Sequence, residues 1–115
     1  MVIQTSPTDR ERRTRKGSGK LIVVSVTLHR VTVEGHARYA KSGEDIVCAA
    51  ASVLANNLVN SLKQLTNDEI EYENNIGLLD IRYKNLSDFG KLLVDSFFIG
   101  ICDIKSEYPG YIEIK

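Results

Sequence analysis

The sequence predicts a small α+β domain in which two helices pack on a mostly antiparallel sheet. Two long segments, residues 43–65 and 87–107, have apolar residues at the spacing of amphipathic helices. Five shorter segments are rich in β-branched residues or alternate apolar and polar residues, as strands do. Consecutive strands are joined by short links, which favour antiparallel pairing. The order is therefore β-β-α-β-β-α-β, and two helices on one such sheet give an α+β fold.

The length of 115 residues suits one domain, and a hydrophobic content of 43% suffices for one core. Residues 1–20 contain six Lys/Arg and two Asp/Glu, whereas residues 21–115 contain nine and thirteen. We interpret residues 1–20 as a flexible basic leader or a tag, and residues 21–115 as a single domain. Because this domain is mildly acidic and has no broad basic face, direct binding of nucleic acid is not expected.

The two cysteines, Cys48 and Cys102, form no pattern with zinc-ligand spacing, so we expect no zinc site. The candidate cysteine chemistry considered below needs no metal and no organic cofactor. Two thiols in an otherwise ordinary sequence suggest a reducing, cytoplasmic setting. No run approaches the roughly 18 apolar residues of a membrane span, and the N-terminus lacks an apolar signal segment. We therefore expect no association with a membrane.

The first two strands are predicted on either side of a tight turn. The apolar alternation in LIVVSVTL changes parity before VTVE, which indicates a turn or bulge near His29–Arg30. VTVE ends directly before Gly35 and His36.

The first helix is predicted after a loop, ARYAKSG. Ser42, three residues before Asp45, is the candidate N-cap, and the helix runs from about Gly43 to Leu65. Its predicted core stripe consists of Val47, Ala51, Leu54, Leu58, Leu62 and Leu65.

The second half of the chain predicts a hairpin, a helix and a closing strand. DEIEYENNIGLLDIRYKN has its turn at NNIG, and the charges of DEIEYE are typical of the solvated face of an edge strand. The second helix spans about Ser87 to Glu107 and ends before Pro109–Gly110, and GYIEIK follows as the last strand. The predicted core stripe of this helix consists of Phe89, Leu93, Phe97, Ile101 and Ile104.

His36 and Cys48 are the candidate catalytic residues. Cys48 lies just inside a predicted helix entrance, where free N–H groups and partial positive charge favour the thiolate, and an adjacent imidazolium favours it further. Amides of this entrance, around Val47–Ala49, are candidates to stabilise an oxyanion. A cysteine, a histidine and an amide-rich helix entrance are the minimum set for acyl transfer.

Each of these residues also has a structural interpretation. A cysteine among alanines is commonly a small buried hydrophobic residue, and a histidine at a strand end is commonly a surface residue. Asp45 either holds the imidazole or caps the helix, and Ser52 hydrogen-bonds either the sulfur of Cys48 or a nearby backbone group. Gly35 permits an unusual backbone angle that aims His36. The residues alone leave the choice open.

The segment VEGHARYAKSGEDIVCAAASVLA resembles the signature of the ribosomal-processing cysteine protease family, Prp. That signature has Gly-His-Ala at the end of the second strand, a short loop, then Asp-Ile/Val-Val-Cys-Ala and a Ser four residues after the Cys. The resemblance covers about residues 21–115. The matching residues here are Gly35, His36, Ala37, Asp45, Ile46, Val47, Cys48, Ala49 and Ser52.

The resemblance implies a hydrolase, a thiol (cysteine) endopeptidase acting in ribosome biogenesis. Its substrate is a ribosomal protein, the twenty-seventh of the large subunit, from which it removes an N-terminal extension. Cys48 is then the nucleophile and His36 the general base and acid, with Gly35, Asp45 and Ser52 in support. The resemblance also implies a small α+β domain that forms a homodimer.

The family's substrate has aromatic residues just before the cleaved bond, which need an apolar groove. The loop that contains Tyr39, Ser42 and Gly43 is the candidate to line that groove.

Two rival functions belong to other classes. A non-catalytic ribosome-associated module would bind assembly intermediates and have an inert thiol. A redox or thiol-transfer protein is disfavoured because no resolving cysteine lies near Cys48 in the sequence.

Overall fold

The structure, a computed structural model, describes residues 21–35, 42–75 and 77–115, except for the side chains of residues 42–45. The elements follow the predicted order: β1 (Ile22–Val26), β2 (Arg30–Glu34), α1 (Ser42–Leu65), β3 (Ile70–Asn75), β4 (Leu78–Tyr83), α2 (Asp88–Glu107) and β5 (Ile112–Ile114). The predicted α+β class and the order β-β-α-β-β-α-β are confirmed. The predicted leader, residues 1–20, lies outside the described residues.

The five strands form one sheet in the order β3-β4-β2-β1-β5. Neighbouring strands are antiparallel except for β1 and β5, which are parallel. A mostly antiparallel sheet is therefore confirmed, and β3 is an edge strand as its charges predicted.

The turn expected near residues 29–30 is present as a short link between β1 and β2. Val26 lies opposite Val31, and Val24 lies opposite Val33, so these four valines point to one face of the sheet. The N–H of Thr27 donates to the carbonyl of Arg30 at 2.8 Å and closes the turn.

The β3–β4 hairpin has a two-residue link, since Asn75 pairs with Leu78. Gly77 in this link has a φ of 80°, which a residue with a side chain adopts only with strain. The carbonyl of Gly77 accepts a hydrogen bond from the N–H of Gly35 at 3.0 Å. The hairpin end is therefore held beside the end of β2.

The core lies between the sheet and the two helices. The predicted stripe of α1 is confirmed at its four buried members, Val47, Ala51, Leu58 and Leu62, whereas Leu65, the last residue of the helix, is 68% exposed. Helix α1 begins at Ser42, one residue before the predicted start, so its N-cap position falls outside the described residues.

Helix α2 has Ser87 as its N-cap, whose Oγ accepts a hydrogen bond from the N–H of Gly90 at 3.0 Å. Phe97 and Ile101 are buried as predicted, but Phe89 is 72% exposed, so its assignment to the core was wrong. Residues four apart in an α-helix differ in direction by about 40° around the helix axis. Phe89, eight residues before Phe97, therefore points about 80° away from it and lies outside the core-facing side. Val94 takes the core position instead.

Among the described helices, one segment is long and apolar enough by composition to cross a membrane, namely Ile46–Leu65 of α1, with a mean hydropathy of 1.2. Several of its side chains, including Leu58 and Leu62, lie in the core. A central helix of a globular domain passes the same test, and we assign the segment that role.

The sheet face away from the helices contains a buried carboxylate. Asp80 is 3% exposed. Arg30 donates to it through Nε at 2.9 Å and Nη2 at 2.7 Å, and Nη1 of Arg82 donates at 2.8 Å. The hydrogen bonds from Arg30 are the main reason that the pKa of Asp80 is below its ordinary value, although burial opposes the shift. This ion pair joins β2 to β4.

We predict that Asp80→Asn lowers the free energy of unfolding more at about pH 7 than at about pH 3. A carboxylate whose pKa falls on folding stabilises the protein above its ordinary value of 3.8, and that contribution is lost as the pH falls through the lower folded pKa. Urea denaturation of both proteins at both pH values measures this. Glu113→Gln, at an exposed position of β5, is the control, and a difference between wild type and Asp80→Asn that is independent of pH would contradict the prediction.

Candidate active site

Cys48 lies in the second turn of α1, faces the sheet and is 9% exposed. The residues three, four and seven positions further along share its side of the helix, and all are small: Ala51, Ser52 and Ala55. Because these side chains are short, they do not fill the space between α1 and the sheet. A cavity of about 280 Å³ remains there, and Cys48 is part of its wall.

The sheet supplies the opposite wall of this Cys48 cavity. Ile22 of β1, Val33 of β2 and Leu79 of β4 contribute apolar surface, and Asn74 and Asn75 of β3 contribute amide groups. Among the described residues, the lining consists of Ile22, Val33, Gly35, Cys48, Ala51, Ser52, Ala55, Asn56, Asn74, Asn75, Gly77, Leu78 and Leu79. An apolar floor with a few polar groups at its edge is the usual composition of a site for an organic ligand or a peptide side chain.

Gly35 occupies a place where a side chain does not fit without movement. A Cβ there would lie 3.0 Å from both Cα and Cγ1 of Ile22 and 3.2 Å from the carbonyl oxygen of Leu21. Glycine therefore lets the end of β2 approach β1 closely. This contact places Gly35, the residue directly before His36, in the wall of the Cys48 cavity. The φ of Gly35 is not positive, so the expectation of an unusual backbone angle there was wrong.

The structure brings three of the predicted site residues together, since Gly35, Cys48 and Ser52 all line the Cys48 cavity. Cys48 and Cys102 are not joined in a disulfide.

The remaining predicted site residues are not described in full. His36 and Tyr39 lie outside the described residues. Ser42, Gly43 and Asp45 belong to the first turns of α1, but their side chains are not described.

The backbone amides that were predicted to stabilise an oxyanion, those around Val47–Ala49, lie too far along α1. Because α1 begins at Ser42, the N–H groups of Val47–Ala49 pair with carbonyls four residues earlier, inside the helix. Among the described residues, the N–H groups of α1 without a helical acceptor are those of residues 42–44. The expectation for Val47–Ala49 was therefore wrong.

Several residues that line the cavity were not predicted from the sequence, notably Asn56, Asn74 and Leu78. Asn56 had a usable signal, because it follows Cys48 and Ser52 at successive intervals of four residues and so shares their side of α1. Asn74 had none, since it is the first residue of NNIG, which was interpreted as the turn of the hairpin.

Among the described residues, no group of three or more His, Cys, Asp or Glu side chains is arranged to hold a metal ion.

The model of the family described as cysteine protease Prp matches residues 21–113. The chain belongs to this family. The ribosomal processing cysteine protease Prp of Staphylococcus aureus is 32% identical over 88 residues, which are 74% of this chain and 83% of that protein. The Prp of Mycoplasma pneumoniae is 53% identical over 32 residues, 28% of this chain and 32% of that protein.

Solved structures of S. aureus Prp have the same fold. One, in complex with a substrate peptide, has a TM-score of 0.73 and 24% identity, and covers 83% of this chain and 96% of that chain. Another, with a covalently linked product peptide, has a TM-score of 0.68 and 28% identity, and covers 84% and 97%. The resemblance to Prp that the sequence motif indicated is thereby confirmed at the level of the family.

We predict that Gly35→Ala lowers the free energy of unfolding by about 1–3 kcal/mol, because the added methyl group overpacks the contact with Ile22. Glu34→Ala, at the exposed preceding position, is the matched control and should change stability much less. Chemical denaturation of the three proteins measures the effect. Equal stability of Gly35→Ala and wild type would contradict the prediction, because it would show that β1 can shift to make room for the added methyl group.

Proposed function

We propose that this chain is a cysteine endopeptidase that removes the N-terminal extension from the twenty-seventh protein of the large ribosomal subunit. Membership of the Prp family supports the class of reaction. The observation that carries the proposal is the position of Cys48, which lines a cavity between α1 and the sheet together with Gly35. A buried thiol packed without space around it would have no route to a peptide bond, whereas this one borders a cavity.

Cys48 is the nucleophile in this proposal. The side chains of a helix tilt toward its N-terminus, so the thiol of Cys48 is directed toward the first turns of α1. The partial positive charge of that end favours the thiolate. The amides at the start of α1, residues 42–44, are the helix groups with N–H bonds left to hold an oxyanion.

His36 is the general base and acid. It directly follows Gly35, whose backbone lies in the wall of the Cys48 cavity. The thiolate attacks the scissile carbonyl, His36 protonates the leaving amine, and His36 then takes a proton from the water that hydrolyses the thioester. Asp45 and Ser52 support this pair, and no metal or organic cofactor takes part.

The substrate enters along the apolar floor formed by residues such as Val33, Leu78 and Leu79. This surface suits the aromatic residues that precede the cleaved bond in the family's substrates. Tyr39, Ser42 and Gly43 flank the entrance in the proposal.

The enzyme acts in the cytoplasm as a homodimer, without a membrane or nucleic acid as a direct partner. Exposed apolar side chains of α2, namely Phe89, Leu92 and Ile99, support pairing of two copies.

We predict that wild-type protein shortens the extended ribosomal protein once at its N-terminus, and that Cys48→Ala and His36→Ala do not. Removing either member of such a pair typically costs several orders of magnitude in kcat. Intact-mass spectrometry of the substrate after incubation measures this, and Cys102→Ala, which removes the other thiol, is the matched control. Retained cleavage by Cys48→Ala would exclude the mechanism. If wild type also left an authentic substrate intact, a non-catalytic ribosome-associated module would be favoured.

We predict that Cys48 reacts with iodoacetamide at lower pH than an ordinary cysteine, whose pKa is about 8.5. Thiolate is the reactive form, and a helix N-terminus and His36 both favour it. Peptide mass mapping of alkylation against pH separates Cys48 from Cys102. In His36→Ala the pH profile of the alkylation rate of Cys48 should move to higher pH. An unchanged profile would show that His36 does not interact with the thiol.

A further inference from the structure

The Cys48 cavity ends at a hydrogen bond between two side chains from opposite walls. Nδ2 of Asn74 on β3 donates to Oδ1 of Asn56 on α1 at 3.0 Å, and both residues line the cavity. We call this pair the crossbar. Both side chains are exposed, so the crossbar lies at the accessible edge of the cavity and not inside the core.

The crossbar occupies the end of the cavity that is farthest from the thiol along α1. Asn56 is eight residues after Cys48, which corresponds to about 12 Å of helix rise. Beyond it the helix side chains become branched and buried at Leu58, Val59 and Leu62, and no space remains against the sheet. An extended peptide covers about 3.3 Å per residue, so the distance from thiol to crossbar corresponds to three or four substrate residues.

The crossbar also links α1 directly to strand β3, which is held in the sheet by its pairing with β4. Strand β3 is the edge of the sheet, and β4 is its single neighbour. Among the described residues, a second side-chain link from α1 to β3 is the hydrogen bond from Nζ of Lys63 to the hydroxyl of Tyr72 at 3.3 Å, further from Cys48. The crossbar is therefore the described side-chain link that joins the two walls of the cavity beside Asn74.

We infer that the crossbar sets the length and width of the substrate cleft, and that Asn56 and Asn74 are specificity-determining residues for a peptide bound in it. This inference rests on the proposed function. The two side chains act on the binding of the peptide and not on the chemical step, because the thiol is two helical turns away. Neither residue belongs to the signature motif.

Substitutions that keep the volume of each side chain test the crossbar. In Asn56→Asp or Asn74→Asp, one carboxamide remains and can turn its N–H toward the new carboxylate, so one hydrogen bond is retained. In the double variant both partners are acceptors and the hydrogen bond is lost. The control is Asn57→Asp/Asn60→Asp, which adds the same charge to exposed positions of α1 that do not line the Cys48 cavity.

We predict that the double variant Asn56→Asp/Asn74→Asp raises KM about three- to tenfold for a peptide spanning the cleavage site, the effect of one lost hydrogen bond. The value of kcat should stay within about twofold, as expected when binding and not chemistry is affected. The control should have KM within about twofold of wild type, and each single variant should raise KM less than the double variant does, because one hydrogen bond is retained. Equal KM in the double variant and the control would overturn the inference, and so would single variants as impaired as the double.

A binding measurement separates this inference from the proposed function. In the Cys48→Ala background, fluorescence anisotropy of the labelled peptide should show a dissociation constant three- to tenfold higher in the double variant, since the same hydrogen bond is lost. If wild type binds but does not cleave, the proposed function fails while the crossbar is still tested by binding. Binding that is equal in the double variant and the control overturns the crossbar, whatever the cleavage result.

Discussion

The site depends on one feature of packing, the change from small to branched side chains along the sheet-facing side of α1. After Cys48 come Ala51, Ser52 and Ala55, and only then Leu58, Val59 and Leu62. The branched half fills the space against the sheet and fixes the helix, because each buried aliphatic side chain contributes about 1.5–3 kcal/mol. The small half leaves the Cys48 cavity open. The branched half of α1 thus stabilises the fold, and the half with small side chains provides one wall of the candidate site.

The sheet places the opposite wall through interactions that lie outside the cavity. The hydrogen bond from Gly35 to Gly77 holds the hairpin end beside the end of β2. On the other face, Arg30 and Asp80 join the same two strands. A buried carboxylate is costly unless it is paired and hydrogen-bonded, so the pairing with Arg30 favours this alignment of β2 with β4 over others. The approach of Gly35 to the cavity follows from that alignment.

The elements were predictable because their signals are local, whereas the far wall of the site was not. Periodicity and turn residues identified both helices and both hairpins, but the parallel pairing of β1 with β5 joins distant segments and has no local signal. Phe89 was misplaced because a four-residue repeat drifts around a helix. Cys48 and Gly35 were found from motif chemistry and family resemblance. Asn74 was missed because its partner, Asn56, is eighteen residues away.

The change from small to branched side chains along α1 explains why polar residues lie at the end of the Cys48 cavity. In the proposed function the thiol needs access to a peptide, and the short side chains of Ala51, Ser52 and Ala55 leave space beside it. Apolar side chains at positions 56 and 74 would attract each other across the opening and collapse it, because burial of apolar surface is non-directional. A hydrogen bond has a preferred length and direction, and so holds two walls apart as well as together. The Asn56–Asn74 pair therefore satisfies the two demands on this edge, which are a fixed separation and an open cleft.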